Sequence, residues 1–274
     1  VYAHFPFCDV ICHYCDFYTA RSKSARHEDF FCAMNAEAKA ARGNFSPLKA
    51  LYMGGGTPSV SPLNLLEKFL KNFPLDGQTE VTLETNPNHV NKENLVAWKS
   101  MGINRISLGI QSLQDDCLKR LGRTHKGAEA LAALSLARTV FENVSGDLIY
   151  GVPDQSLEQP SLDAETFAKA GATHVSAYHL TLTPSHFLYA KLPEEDSARG
   201  QIQSIAEKLA TRDFEHYEIS NFGLPGFFSK NNGNYWRGGP YWALGPSAHG
   251  FDGKRARWKN LADWEGYIQK VSAG

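Results

Sequence analysis

From Val1 onward the chain alternates short apolar stretches with longer amphipathic ones, and the alternation runs to about residue 210. V-Y-A-H-F is followed by a helical pattern around residues 24–42, then by the apolar run A-L-Y-M. The next helical pattern places Leu66, Phe69, Leu70 and Phe73 on one face, the spacing of an amphipathic helix. In E-V-T-L-E, Val81 and Leu83 share one side, as the two-residue period of a strand requires. A short helix carrying Leu95, Trp98 and Met101 leads to R-I-S-L-G-I. Another, with Leu131, Leu134, Ala137 and Phe141 at helical spacing, leads to S-G-D-L-I-Y, and one more precedes H-V-S-A-Y-H-L-T. Strands that alternate with helices are expected to lie parallel, joined by right-handed crossovers. The fold class is therefore α/β, and about six such units make most of a β/α barrel, open or closed.

The residues at the strand ends are the unusual ones. A cysteine-bearing loop follows the first strand, and Gly54-Gly55-Gly56-Thr57-Pro58 follows the second. Glu84-Thr85-Asn86-Pro87 ends the third, Gly109-Ile110-Gln111-Ser112 the fourth, Asp147 through Pro153 the fifth, and Tyr178-His179-Leu180-Thr181 the sixth. In β/α barrels the loops after the strand C-termini build the active site. Six consecutive strands thus aim polar or glycine-rich ends at one mouth, which packing alone does not call for. Glycine also lets backbone approach a ligand closely. Glu84 suits ribose hydroxyls or an ammonium group, while Gln111, Arg123 and Asp147 suit a nucleoside or a carboxylate-bearing ligand. Buried polar groups that satisfy one another between strands are the alternative for these residues.

Within the first of those loops, Cys8, Cys12 and Cys15 are spaced C-x3-C-x2-C. Iron–sulfur clusters are usually held by four thiolates, so three imply a cubane with one iron left open to a ligand. A zinc site completed by His4 or His27 is the competing reading. Cys32 and Cys117 fall in helix-like stretches and are expected to be small buried hydrophobes. Five cysteines are an odd number, and no disulfide-dense scaffold is apparent. Free, metal-binding thiolates fit a reducing cytoplasm.

Composition adds mainly exclusions. A chain of 274 residues with 42% hydrophobic and 21% charged residues has ordinary globular composition. A net charge of −1 gives no electrostatic case for nucleic acid or an anionic membrane. No apolar run approaches the roughly 20 residues of a bilayer span, so no transmembrane segment is expected. The chain opens without methionine, and sequence preceding Val1 is expected. Beyond residue 210 the pattern changes to glycine, proline and aromatics, with Trp236, Trp242, Trp258 and Trp264 all in this part. The expected organisation is a barrel core over residues 1–212, with the iron–sulfur loop at 8–15. An aromatic-rich α+β extension over 213–274 closes the barrel and is expected to continue past Gly274. Its aromatics suit either a flat macrocycle or a subdomain core, and His125, His216 and His249 are candidate iron ligands.

With the cysteine spacing, the G-G-G-T-P loop and the E-T-N-P strand end in hand, the chain resembles radical S-adenosylmethionine (SAM) proteins. More narrowly, it is similar to their coproporphyrinogen dehydrogenase-like branch. I-S-L-G-I-Q-S, L-G-R-T-H, D-L-I-Y-G-V-P, Y-E-I-S-N-F and the stretch from Asn232-x-x-Tyr235-Trp236 to Ala248-His249-Gly250 carry the likeness over essentially the whole chain. The resemblance implies that Cys8, Cys12 and Cys15 hold a [4Fe–4S] cluster whose open iron binds the amino and carboxylate groups of S-adenosyl-L-methionine. Reductive cleavage of the sulfonium then yields a radical that abstracts hydrogen. It further implies that Tyr2 and Tyr14 flank cluster and cofactor, and that Gly55, Gly56 and Thr57 contact the methionine end. Glu84 serves the ribose side, and Gln111, Arg123 and Asp147 line the rest; no catalytic residue is assigned beyond the cluster.

Within that branch the decarboxylating dehydrogenases carry C-x3-C-x2-C-x-C, and here Phe17 stands at the last cysteine's place. Cys15-Asp16-Phe17 and Leu121-Gly122-Arg123-Thr124-His125 resemble instead the branch's heme chaperones. Those carry H-N-x-x-Y-W, where this chain has Asn231 in place of the histidine. Asn232, Tyr235, Trp236 and His249 are the expected heme contacts. The implied partners are heme or porphyrin, a recipient hemoprotein, and a low-potential electron donor such as flavodoxin or ferredoxin, in the cytoplasm. The alternatives are oxidative decarboxylation of coproporphyrinogen III, a radical methylation on the same scaffold, and a zinc-stabilised binding module without redox chemistry.

Overall fold

The structure, a computed structural model, describes residues 1–24, 26–45 and 47–273, with the Ser24 side chain excepted. Ala25, within the first expected helix, and Gly274, at the end of the extension, lie outside the described residues. The six expected strands all form: β1 (Tyr2–Phe5), β2 (Ala50–Gly55), β3 (Glu80–Thr85), β4 (Arg105–Gln111), β5 (Asn143–Tyr150) and β6 (His174–His179). Each pairs in parallel with the next, through registers such as Tyr2↔Tyr52, Thr82↔Arg105 and Asp147↔Ser176. The helices between them are α1 (His27–Ala40), α2 (Leu63–Leu70), α3 (Lys92–Ser100), α4 (Asp115–Arg120), α5 (Gly127–Arg138) and α6 (Gln159–Lys169). Helix α7 (Glu195–Ala210) follows β6 and packs beside α6.

Residues beyond 212 continue the same sheet at both edges. Strands β7 (Glu215–His216) and β8 (Asn221–Gly223) add antiparallel beyond β6, after which comes α8 (Lys230–Trp236). Strand β9 (Ala243–Leu244) pairs in parallel with β1. The sheet order is β9-β1-β2-β3-β4-β5-β6-β8-β7, so the barrel stays open between its two ends. A hairpin, β10 (His249–Phe251) with β11 (Arg257–Lys259), and helix α9 (Trp264–Ser272) complete the extension. Helix α9 lies on α1, where the Glu37 carboxylate accepts from the Tyr267 hydroxyl at 2.6 Å, Gly245 N at 2.8 Å and Asn260 Nδ2 at 2.8 Å.

Strand periodicity sorts the barrel into two chemistries. Ala3, Phe5, Leu51, Met53, Val81, Leu83, Ile106, Leu108, Val144 and Val175 join the main apolar core beneath the helices. The alternate residues, His4, Tyr52, Glu84, Ser107, Ser145, Asp147, His174 and Ser176, give the barrel a polar inside. At its base Arg105 Nη2 lies 3.3 Å from His174 Nδ1, which is also 2.8 Å from Ser145 Oγ, and His174 Nε2 lies 2.8 Å from the Tyr217 hydroxyl.

One expectation about cysteine is corrected. Cys117 is buried, but Cys32 is exposed, because α1 turns Phe31, Ala33 and Met34 into the core and leaves position 32 on its outer side. Among the described residues no helix is long and apolar enough to cross a membrane.

Candidate functional site

A cavity of about 410 Å³ opens where the strand C-termini converge. Cys8, Cys12 and Cys15 line it, together with Tyr14, Gly55, Gly56, Thr57, Glu84, Gln111, Arg123 and Asp147. Of the residues expected to serve cluster and cofactor, Tyr2 alone does not reach it. Its ring stacks on Tyr52, 6.2 Å between centroids, and its hydroxyl bonds His4 Nδ1 at 3.1 Å. Tyr2 thus supports the wall from behind.

The thiols are held by neighbours of different kinds. The Thr57 hydroxyl donates to Cys8 Sγ at 3.4 Å, and burial pushes the Cys8 thiol up to about 11. Burial also raises the Cys15 thiol, and Cys15 N donates to Cys12 O at 3.2 Å to turn the loop. The Arg123 guanidinium donates to Cys12 Sγ at 3.4 Å while anchored to Asn86 Oδ1 at 2.5 Å and Gly109 O at 2.6 Å. Tyr14 is raised by burial and sits against Arg123 and Cys12.

Strand ends, and in β5 an inward position within the strand, place the remaining groups. Gly55 adopts φ +106°, and a Cβ there would lie 2.4 Å from the His4 ring. Glycine is therefore required by the protein's own packing as well as by the cavity that Gly55 lines. Gln111 follows a register shift in β4 and takes φ 73°, a left-handed conformation uncommon outside glycine. The Glu84 carboxylate accepts from the Tyr52 hydroxyl at 2.7 Å and from Gly55 N at 3.1 Å. Burial raises its pKa to about 7 against those two hydrogen bonds. Asp147 accepts from Ser107 Oγ at 3.1 Å and Ser145 Oγ at 3.3 Å, and burial raises it to about 6.

The donor set suits an iron–sulfur cluster. Among the described residues no group of three His, Cys, Asp or Glu gathers tightly enough for a single metal ion. The thiols instead face a cavity, as a body wider than one ion requires. His4 is no free ligand, since it spends Nδ1 on Tyr2 and Nε2 on the Tyr18 carbonyl at 2.8 Å. The His27 ring packs edge-on against Phe7 with its buried Nδ1 unpartnered, but it gathers with no two other such side chains among the described residues.

The expected heme contacts lie apart from this cavity. Asn232, Tyr235 and Trp236 are on α8, where Tyr235 is 38% and Trp236 58% exposed. Asn231 is buried, and its backbone N–H faces Glu80 at 3.4 Å. His125 is buried with Nε2 3.0 Å from the Ile110 carbonyl, and His216 Nε2 lies 3.1 Å from the Ile219 carbonyl. His249, on β10, is exposed. Sequence reasoning passed over Asn86, which orients Arg123, and Tyr52, which holds Glu84. The signal for Tyr52 was its place opposite Leu51 and Met53 in the strand period.

The Radical SAM superfamily profile matches residues 2–176. The chain is 34% identical to a heme chaperone HemW of Lactococcus lactis subsp. lactis over 98% of its own length and 73% of that protein's. It is 36% identical to a heme chaperone HemW of Haemophilus influenzae over 91% of its length and 69% of the relative's. Among solved structures, coproporphyrinogen III oxidase (HemN) from Escherichia coli, a radical SAM enzyme, superposes with a TM-score of 0.85. That likeness spans 99% of this chain and 68% of the other at 21% identity, and it shows the shared fold.

Proposed function

The chain belongs to the radical SAM superfamily and, within it, to the HemW heme chaperones, and on that footing we propose that it binds heme and passes it to a hemoprotein in the cytoplasm. In this reading Cys8, Cys12 and Cys15 hold a [4Fe–4S] cluster, and S-adenosylmethionine occupies the adjoining cavity. The observation that carries the reading is three thiols on one wall of a cavity whose other walls hold Glu84, Asp147 and the Gly55–Gly56 edge. A reduced cluster held by these three thiolates would supply the electron for reductive cleavage of the sulfonium.

The chain's own groups bind and orient. The Thr57 hydroxyl and the Arg123 guanidinium each hold one thiol sulfur, and hydrogen bonds to metal-ligating sulfurs tune a cluster's potential. The Gly55–Gly56 backbone gives the amino-acid end of the cofactor a flat edge. Glu84 and Asp147 would offer a sulfonium negative charge when ionised and would accept from ribose hydroxyls. Tyr14 and Gln111 close the remaining sides. An external low-potential donor supplies the electron.

Heme is assigned to the aromatic face of the extension. Tyr235 and Trp236 offer flat, exposed rings, and Asn232 is their neighbour one turn earlier. With asparagine buried at 231, the exposed imidazole of His249 is the group this chain presents to iron. Anaerobically reconstituted protein should give a Soret shift on heme titration and restore absorbance to an apo-hemoprotein. His249→Ala and Trp236→Ala should weaken the shift while retaining the cluster. Cluster-loaded protein that neither binds nor transfers heme would end this reading, and turnover of coproporphyrinogen III would replace it with the enzymatic one.

A further inference from the structure

The cysteine loop is braced from outside the cavity by a hydrogen-bonded chain that crosses three separate strand ends. Asp9, next to Cys8, accepts from Ser22 Oγ at 2.5 Å through Oδ1 and contacts His89 Nε2 at 2.9 Å through Oδ2. His89 Nδ1 in turn lies 2.8 Å from Ser59 Oγ. A carboxylate only accepts, so Nε2 carries a proton, while the serine hydroxyl can serve Nδ1 as donor or acceptor. Ser59 sits in the turn after β2 and His89 in the turn after β3. The His89 backbone is fixed as well, with its N–H on Asn86 O at 3.0 Å and its carbonyl accepting from Asn94 Nδ2 at 2.8 Å.

The same two turns therefore present one residue inward and another outward. Thr57 reaches Cys8 inside while Ser59, two positions on, carries the brace outside. Asn86 orients Arg123 inside while His89, three positions on, completes it. The loop needs such a tie because apolar burial does not supply one: Val10 and Ile11, between Cys8 and Cys12, are 42% and 39% exposed. On the other flank His13 packs on Phe187, 5.6 Å between centroids, and its carbonyl accepts from His186 Nε2 at 3.0 Å.

The order hydroxyl, imidazole, carboxylate also occurs in hydrolytic triads, but there the serine bonds Nε2 and the carboxylate Nδ1. Here the two are exchanged, and the Asp9 side chain is 57% exposed. The arrangement suits holding a loop, as outer partners do around metal ligands.

We propose that Asp9, His89 and Ser59 form a positioning strap that sets the Cys8–Cys12 turn and thereby governs how firmly the cluster is retained. The inference rests on the cluster reading above. It is tested with the full chain, reconstituted anaerobically, for wild type, Asp9→Ala, His89→Phe, His89→Gln and the Asp9→Ala/His89→Phe double variant. Iron release to a chelator is followed by loss of visible absorbance, and the reduced cluster by electron paramagnetic resonance. A half-exposed hydrogen bond to a charged group predicts about three- to tenfold faster iron loss in Asp9→Ala and His89→Phe, with altered g-values. The double variant should be no faster than the singles, since both break one strap, and His89→Gln, which keeps a donor, should recover part of the effect. Release at the wild-type rate with unchanged g-values, or additive effects in the double variant, would overturn the strap. Wild type that holds no cluster would instead overturn the cluster reading beneath it.

Discussion

Glu84 makes cofactor binding depend on pH in a direction that the structure fixes. Its carboxyl lies deep in the molecule and is raised to about 7, with desolvation the leading cause. A cationic ligand needs the ionised form. With a pKa of 7, the unliganded carboxyl is ionised in about nine molecules of ten at pH 8 and one in ten at pH 6, so S-adenosylmethionine should bind roughly tenfold more weakly at pH 6. Calorimetry at pH 6 in two buffers of different ionisation enthalpy should detect uptake of a proton by buffer, and at pH 8 almost none. Folding has the opposite sign. A carboxylate raised in the folded state stabilises the protein fully below its unfolded pKa near 4.5, and the contribution is lost as pH rises toward 7. The loss amounts to at most about 3 kcal/mol, and water in the cavity reduces it. Glu84→Gln should therefore bind the cofactor weakly with a flatter pH profile, yet be more stable than wild type at pH 8 in the unloaded state. Wild-type affinity that does not change between pH 6 and 8, or a Glu84→Gln variant less stable than wild type at pH 8, would refute the argument.

The remaining predictions concern packing. Gly55→Ala must place a methyl 2.4 Å from the His4 ring at φ +106°, which should cost about 2–4 kcal/mol in chemical denaturation and reduce cluster loading in parallel. Glu37→Gln keeps the shape of the junction with α9 but removes the charge that accepts from Tyr267, Gly245 and Asn260. It should cost about 1–3 kcal/mol and speed proteolysis of residues 245–263, while Glu28→Gln, outside this junction, should change neither.

The six parallel strands and the mouth of the barrel were legible because both follow local rules. Parallel strands covered on both faces usually read as continuous apolar runs. Here Val81 and Leu83 alternate with Glu80, Thr82 and Glu84, and the same period in Arg105-Ile-Ser-Leu-Gly marks a polar interior. The cysteines, Glu84, Gln111 and Arg123 could be placed at one mouth because each stands at a strand end or in the connection that follows one, whereas Asp147 reaches the same cavity from within β5, on its inward face. Tyr2 belongs to the same inward register as His4 and pairs with Tyr52, but its ring stacks on Tyr52 and its hydroxyl turns to His4, a choice of neighbours that periodicity does not carry. Cys32 was misread because a single cysteine in an amphipathic helix gives no sign of which face it takes. The pairing of Ala243–Leu244 with β1 was invisible for another reason. Two residues carry no period, and their partner lies at the far end of the chain.

That pairing has a consequence for how the protein is made. A ribosome releases Cys8, Cys12 and Cys15 early, but β1, which leads into them, lacks its second neighbour until Ala243 and Leu244 emerge. Helix α1, which follows them, waits longer still for Tyr267 to reach Glu37. The loop that carries the thiols is thus bounded on both sides by elements whose contacts wait for residues far along the chain. A loop flanked in this way should take its final spacing only once residues 243–267 have been synthesised, so metal insertion is expected to follow that step rather than precede it.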